Sequence, residues 1–113
     1  MHLKIAGTFW EIRLLTPSEF ISTHGEGFNN AAAVTDVIKK IVDFRTDDLS
    51  EIHVRHETFH MYADTQLIKD SNLDMEQFEE NAACLMGRYG EEYIKNSRKI
   101  TKWLKKELQR RNK

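Results

Sequence analysis

Hydrophobic and polar residues alternate with a period of two over the first fifteen positions. Leu3 and Ile5, then Trp10, Ile12 and Leu14, stand against Phe9, Glu11, Arg13 and Leu15. That alternation predicts two strands, with Gly7-Thr8 as the turn between them. Thr16-Pro17-Ser18-Glu19 predicts a helix start: Thr16 as N-cap, proline at the first helical position and Glu19 completing a capping box. The helix is expected to run through Ile21 or Ser22 and to end at His24-Gly25-Glu26-Gly27. Asn29-Asn30 leads into Ala31-Ala32-Ala33-Val34-Thr35, whose state periodicity leaves open. Val37 to Phe44, with Ile38, Ile41, Val42 and Phe44, predicts another strand.

The pattern then changes to helical spacing. Asp48 is the expected cap of a helix in which Leu49, Ile52, His56, Phe59, Ala63 and Leu67 fall on one stripe. Asp70-Ser71-Asn72 reads as a loop. A second helix is expected from about Asp74, carrying Met75, Phe78, Ala82, Leu85, Met86 and Tyr89 on one face. Asn96-Ser97 is the expected break before a last amphipathic helix with Ile100, Trp103, Leu104 and Leu108. Two strands, further extended segments and three longer helices predict an α+β class.

Composition narrows the setting. With 113 residues, 40% hydrophobic and 31% charged, the chain is expected to form a single domain over 1–113. No apolar run approaches the roughly 18 residues of a membrane span. The first residues lack the apolar stretch of a signal peptide, and one cysteine, Cys84, permits no internal disulfide. The expectation is a cytoplasmic protein. The net charge of −1 hides an asymmetry. Residues 95–113 hold nine of the seventeen Lys and Arg against one acid, Glu107, and the first 94 residues carry a formal −9.

One segment points to specific chemistry. His56-Glu57-Thr58-Phe59-His60 reads H-E-x-x-H. On a helix, residues i and i+4 share a face, so both imidazoles can reach one cation. A catalytic zinc site uses three protein ligands and a water, and Glu57 is placed to take that water's proton. The third ligand would come from the next helix, where Asp74, Glu76, Glu79 and Glu80 are available. At about 100° per residue, Glu79 falls beside the apolar stripe and Glu76 and Glu80 further from it. The order of preference is Glu79, Glu76, Glu80. His53 reads as a flanking polar residue.

The H-E-x-x-H, followed nineteen residues later by Glu79-Glu80-Asn81-Ala82-Ala83-Cys84-Leu85-Met86, resembles the zincin-like metallopeptidases of phages and integrative elements, of which the ImmA/IrrE family is the best-known branch. The N-terminal segment Met1–Ile12 and Asn96 resemble the same family in order and spacing. The chain departs from the family pattern at Thr58-Phe59 and at Ala83. The resemblance implies a minimal zincin-like fold: an N-terminal β-hairpin in a small sheet, an active-site helix, a Glu-ligand helix and a C-terminal helix. It implies Zn²⁺ held by His56, His60 and Glu79, with Glu57 as catalytic base. The activity implied is hydrolysis of a protein or peptide substrate, such as a repressor of a mobile element. An exposed edge strand around Lys40–Arg45 would align that substrate. Tyr62, Tyr89, Tyr93 and His24 are the candidates for oxyanion stabilisation. A rival reading comes from the basic C-terminal helix: a non-catalytic zinc-binding or regulatory protein that binds DNA or an acidic partner.

Overall fold

The computed structural model describes residues 1–65 and 74–112 of the chain. The opening alternation forms β1 (His2–Ile5) and β2 (Thr8–Leu15), paired antiparallel with Leu3 opposite Trp10. Ala6 (φ 45°) and Gly7 (φ 85°) make the turn. Two successive residues with positive φ match the twist of the flanking strands, as type I′ turns do. The turn therefore falls one residue earlier than expected, and an alanine occupies a conformation that favours glycine.

Thr16 and Glu19 form the expected capping box at the start of α1 (Pro17–His24), which runs two or three residues longer than predicted. A single 3₁₀ turn (Glu26–Phe28) follows, then β3 (Ala33–Asp36) and β4 (Ile41–Arg45). The predicted strand Val37–Phe44 thus begins only at Ile41. Asp36 accepts hydrogen bonds from the backbone N–H of Ile38 and Lys39, both at 3.0 Å, and turns the chain before Lys40. Ile38 stands at that tip, 91% exposed, so its apolar character reports no burial.

The sheet order is β1-β2-β4-β3, with β2 and β4 parallel and the other pairs antiparallel. This corrects the expectation that Lys40–Arg45 lies at an edge. A parallel pair needs a crossover, here through α1, and β4 ends up between β2 and β3. The edges are β1 and β3. The register places Ile12, Leu14, Val42 and Phe44 on one face, and the helices that follow cover it.

Ser50 caps α2 (Glu51–Thr65) in place of Asp48: its Oγ accepts from the His53 N–H at 3.2 Å. The buried side of α2 carries Val54, Thr58, Met61 and Tyr62. The predicted stripe through Ile52 and His56 is corrected, since Ile52 is 75% exposed and His56 is exposed too. Ala63 is buried and Phe59 half-buried, while Leu67 and the expected loop Asp70–Asn72 lie outside the described residues. The physical reason is Thr58. Its hydroxyl donates to the Val54 carbonyl (2.6 Å), so a residue that looks polar in sequence is fully buried.

Asp74 caps α3 (Met75–Arg111), one continuous helix across the expected break at Asn96-Ser97. Such residues break helices when they compete for backbone groups. Here Asn96 Nδ2 donates to the Tyr62 hydroxyl (3.0 Å), and Ser97 Oγ donates to the Tyr93 carbonyl one turn back (2.8 Å). Both are buried and satisfied, and the helix continues to carry Ile100 and Leu104 into the core. Trp103 and Leu108 pack against that core as expected. At the other end Met75 and Phe78 remain exposed, so the predicted stripe contributes mainly Ala82, Leu85 and Tyr89. The result is a small α+β domain. No described helix is long and apolar enough to cross a membrane.

Candidate metal centre

The H-E-x-x-H segment lies in the middle of α2. At about 100° per residue, His56, Glu57 and His60 share an arc of about 100° on the flank turned from α3. The two imidazoles converge, with Nε2 of His56 and Nε2 of His60 3.0 Å apart and ring centroids separated by 4.7 Å. Among the described residues neither ring pairs with a carboxylate. Two nitrogens bound to one tetrahedral zinc at about 2.0–2.1 Å stand about 3.3–3.4 Å apart. A change of a few tenths of an ångström would let both Nε2 atoms hold one ion, so the pair fits the metal that the motif implies.

Glu57 is 8% exposed and accepts a hydrogen bond from the Thr35 hydroxyl of β3. This contact orients the carboxylate and ties the motif to the edge of the sheet. Thr35 is opposite Val42 in the β3–β4 ladder, which puts its side chain on the face that α2 covers. The other side of β3 has no strand beside it among the described residues. One turn beyond His60 along α2, Asp64 pairs with Lys40 at the end of the β3–β4 turn, and Lys40 lies over the Trp10 ring at 5.2 Å. The motif therefore runs along a free sheet edge, which is β3 and not Lys40–Arg45.

Glu79 is not beside the pair. Tyr62 near the end of α2 donates to Glu92 Oε1 (2.9 Å), and Glu51 at its start lies 3.7 Å from Lys105, so α2 and α3 are antiparallel. Glu79 lies thirteen residues before Glu92, about 20 Å along the helix axis from the level of Tyr62. It is exposed there, as are Glu76 and Glu80. Among the described residues no three His, Cys, Asp or Glu side chains gather as a metal-binding group. The structure thus brings His56 and His60 together, holds the Glu57 carboxylate on Thr35, and leaves Glu79 apart.

The oxyanion candidates are placed elsewhere too. Tyr62 donates to Glu92, accepts from Asn96 and is pushed up in pKa by burial. Tyr93 is committed to Arg55, and burial likewise raises its pKa. Tyr89 packs beside Tyr62, with ring centroids 5.7 Å apart. His24 is on the opposite face of the sheet, where Nε2 is 2.7 Å from Asp43 Oδ2. Arg13 grips the same buried carboxylate with two bonds of 2.6 and 2.8 Å. Sequence reasoning missed this cluster and the Thr35 contact. The one available signal was Asp43 standing between Val42 and Phe44 in an apolar strand. Comparison with protein families, with curated proteins and with solved structures returns no match to this chain.

Proposed function

We propose that the chain is a zinc-dependent metallopeptidase of the zincin-like kind, with His56 and His60 holding the ion and Glu57 moving the proton. The observation that carries this reading is the convergence of the two Nε2 atoms to 3.0 Å on the helix that also carries the buried Glu57. A bound zinc would polarise a carbonyl and lower the pKa of a water. Glu57, held by Thr35, takes a proton from the attacking water and returns it to the leaving amine. An extended peptide adds to the free side of β3 by main-chain hydrogen bonds, which sets its carbonyls along the motif. The resemblance directs the substrate class towards a protein regulator of a mobile element.

The third donor separates this reading from a second one. Glu79 is the ligand that the resemblance supplies, and its distance from the pair favours a non-catalytic zinc site or regulatory protein as the alternative. Zinc content of the purified chain and hydrolysis of unfolded protein substrates test both. The peptidase reading expects one zinc per chain, lost in His56→Ala and His60→Ala. It also expects Glu57→Gln to keep zinc and lose hydrolysis. Zinc retained in Glu79→Ala removes that residue from the ligand set. Zinc binding without hydrolysis in the parent chain would favour the non-catalytic reading, and absence of zinc would end both.

A further inference from the structure

The outward face of α3 is polarised along its length. Residues 74–80 hold Asp74, Glu76, Glu79 and Glu80 with no basic residue, and residues 95–105 hold five Lys and Arg with no acid. The basic end forms one wall of a groove of about 810 Å³ whose other wall is α2. Glu51 on α2 lies 3.6 Å from Arg55 and 3.7 Å from Lys105. That leaves Arg98 and Lys102 on the groove rim without a carboxylate partner among the described residues. Ile94 stands at its end, 50% exposed.

The acidic end has the form of a segment that would fill such a groove. Glu76 and Glu80 are exposed and fall, at about 100° per residue, on the same arc of α3 as Arg98 and Lys102, with the exposed Met75 and Met86 to one side of it. Between the two ends lie Ala83, Gly87 and Gly90 on the same side. A Cβ built on either glycine meets nothing within 4 Å. Glycine inside a helix is less favourable than alanine, and among the described residues nothing fills the space these two leave open.

We propose that two copies of this chain pair antiparallel along α3, the acidic start of each helix lying in the basic groove of the other. Setting Glu80 against Arg98 of the second copy sets Glu76 against Lys102 and brings Ala83 near Ile94. It also puts Gly87 and Gly90 within about one turn of the two-fold axis, where the absence of side chains lets the helix axes approach towards about 8 Å. The contact is isologous: each charge pair and each apolar contact occurs twice, and the assembly closes at two copies. Charge complementarity selects the second copy as occupant, because its own acidic helix matches the groove in sign, spacing and direction.

Sedimentation velocity of the full chain, with helicity checked by circular dichroism, tests the pairing. The parent chain is expected to dimerise, with at least tenfold weaker association at high salt. Arg98→Glu with Lys102→Glu, and separately Glu76→Lys with Glu80→Lys, should each give folded monomers. An equimolar mixture of those two variants should form a heterodimer, because each then presents only one sign of charge to the other. Gly90→Leu should weaken pairing at least tenfold without changing either charged end. A parent chain that stays monomeric at low salt overturns the proposal, as does a dimer indifferent to both charge reversals. A monomer that instead captures duplex DNA through Arg98 and Lys102 also overturns it.

Discussion

Two clusters in this molecule combine histidine with a buried carboxylate, and they are built in opposite ways. On one face of the sheet, Asp43 is 1% exposed and receives Arg13 through two bonds and His24 through a third. Phe20 lies against the His24 ring at 4.8 Å. Both carboxylate oxygens are taken, and a strand, a neighbouring strand and the end of α1 are tied together. On α2, Glu57 is also buried, yet the two histidines beside it face each other and no carboxylate answers either ring among the described residues. A histidine inside a satisfied network serves the fold. A pair of imidazoles with only each other as partner is available to a cation. Residue type is the same in both places, and the number of committed partners separates scaffold from chemistry.

The contrast can be broken by substitution. Asp43→Ala should destabilise the chain by about 2–3 kcal/mol in urea unfolding, below the 3–5 of a wholly buried pair because Arg13 keeps contact with water. A loss under about 1 kcal/mol would mean that the cluster is not structural. Zinc at about 100 times its dissociation constant should raise parent stability by about 2.7 kcal/mol. That gain should vanish in His56→Ala and His60→Ala, and in the absence of zinc these variants should differ from the parent by no more than about 0.5 kcal/mol. Equal zinc stabilisation of parent and variants would place the ion elsewhere.

Thr35→Val should cost about 1.5–2 kcal/mol by removing a hydrogen bond to a buried carboxylate. On the proposed function it should reduce hydrolysis more than zinc content, which metal analysis beside an activity assay would show. The smallest effect belongs to an exposed cluster. Arg110 and Arg111 hold Glu107 down to a pKa of about 2 by hydrogen bonding. A carboxylate lowered in the folded state contributes above its unfolded value of about 4.5 and loses that contribution as pH falls towards 2. Helicity at the end of α3 should therefore weaken over that range, and Glu107→Gln should remove the pH dependence.

Local chemistry was legible wherever a short segment contains its own cause. The Thr16–Glu19 capping box, the β1–β2 hairpin and the apolar positions Ile100 and Leu104 follow from neighbours within a few residues. The H-E-x-x-H is legible in the same way, since i and i+4 meet on any helix. Partners distant in sequence were not legible. The Asn96-Ser97 pair reads as a break until Tyr62 supplies a hydrogen bond from another helix. Val37 and Ile38 read as strand until Asp36 caps the turn. Thr58 reads as polar until its hydroxyl is seen bonded one turn back and buried.

The same division holds for the molecule as a whole. Sequence alone determined the α+β class, the opening hairpin, the cap of α1, the start of α3 near Asp74 and the convergence of His56 with His60, because each depends on periodicity or on contacts within one turn. The tertiary structure decided that β4 is internal, that β3 is the free edge beside Glu57 and that His24 serves Asp43. It also decided that Glu79 stands about 20 Å along α3 from the level of Tyr62. These outcomes depend on which strand the α1 crossover delivers to the sheet and on where α2 meets α3. Packing and hydrogen bonds between residues far apart in the chain settle both, and no local pattern encodes them.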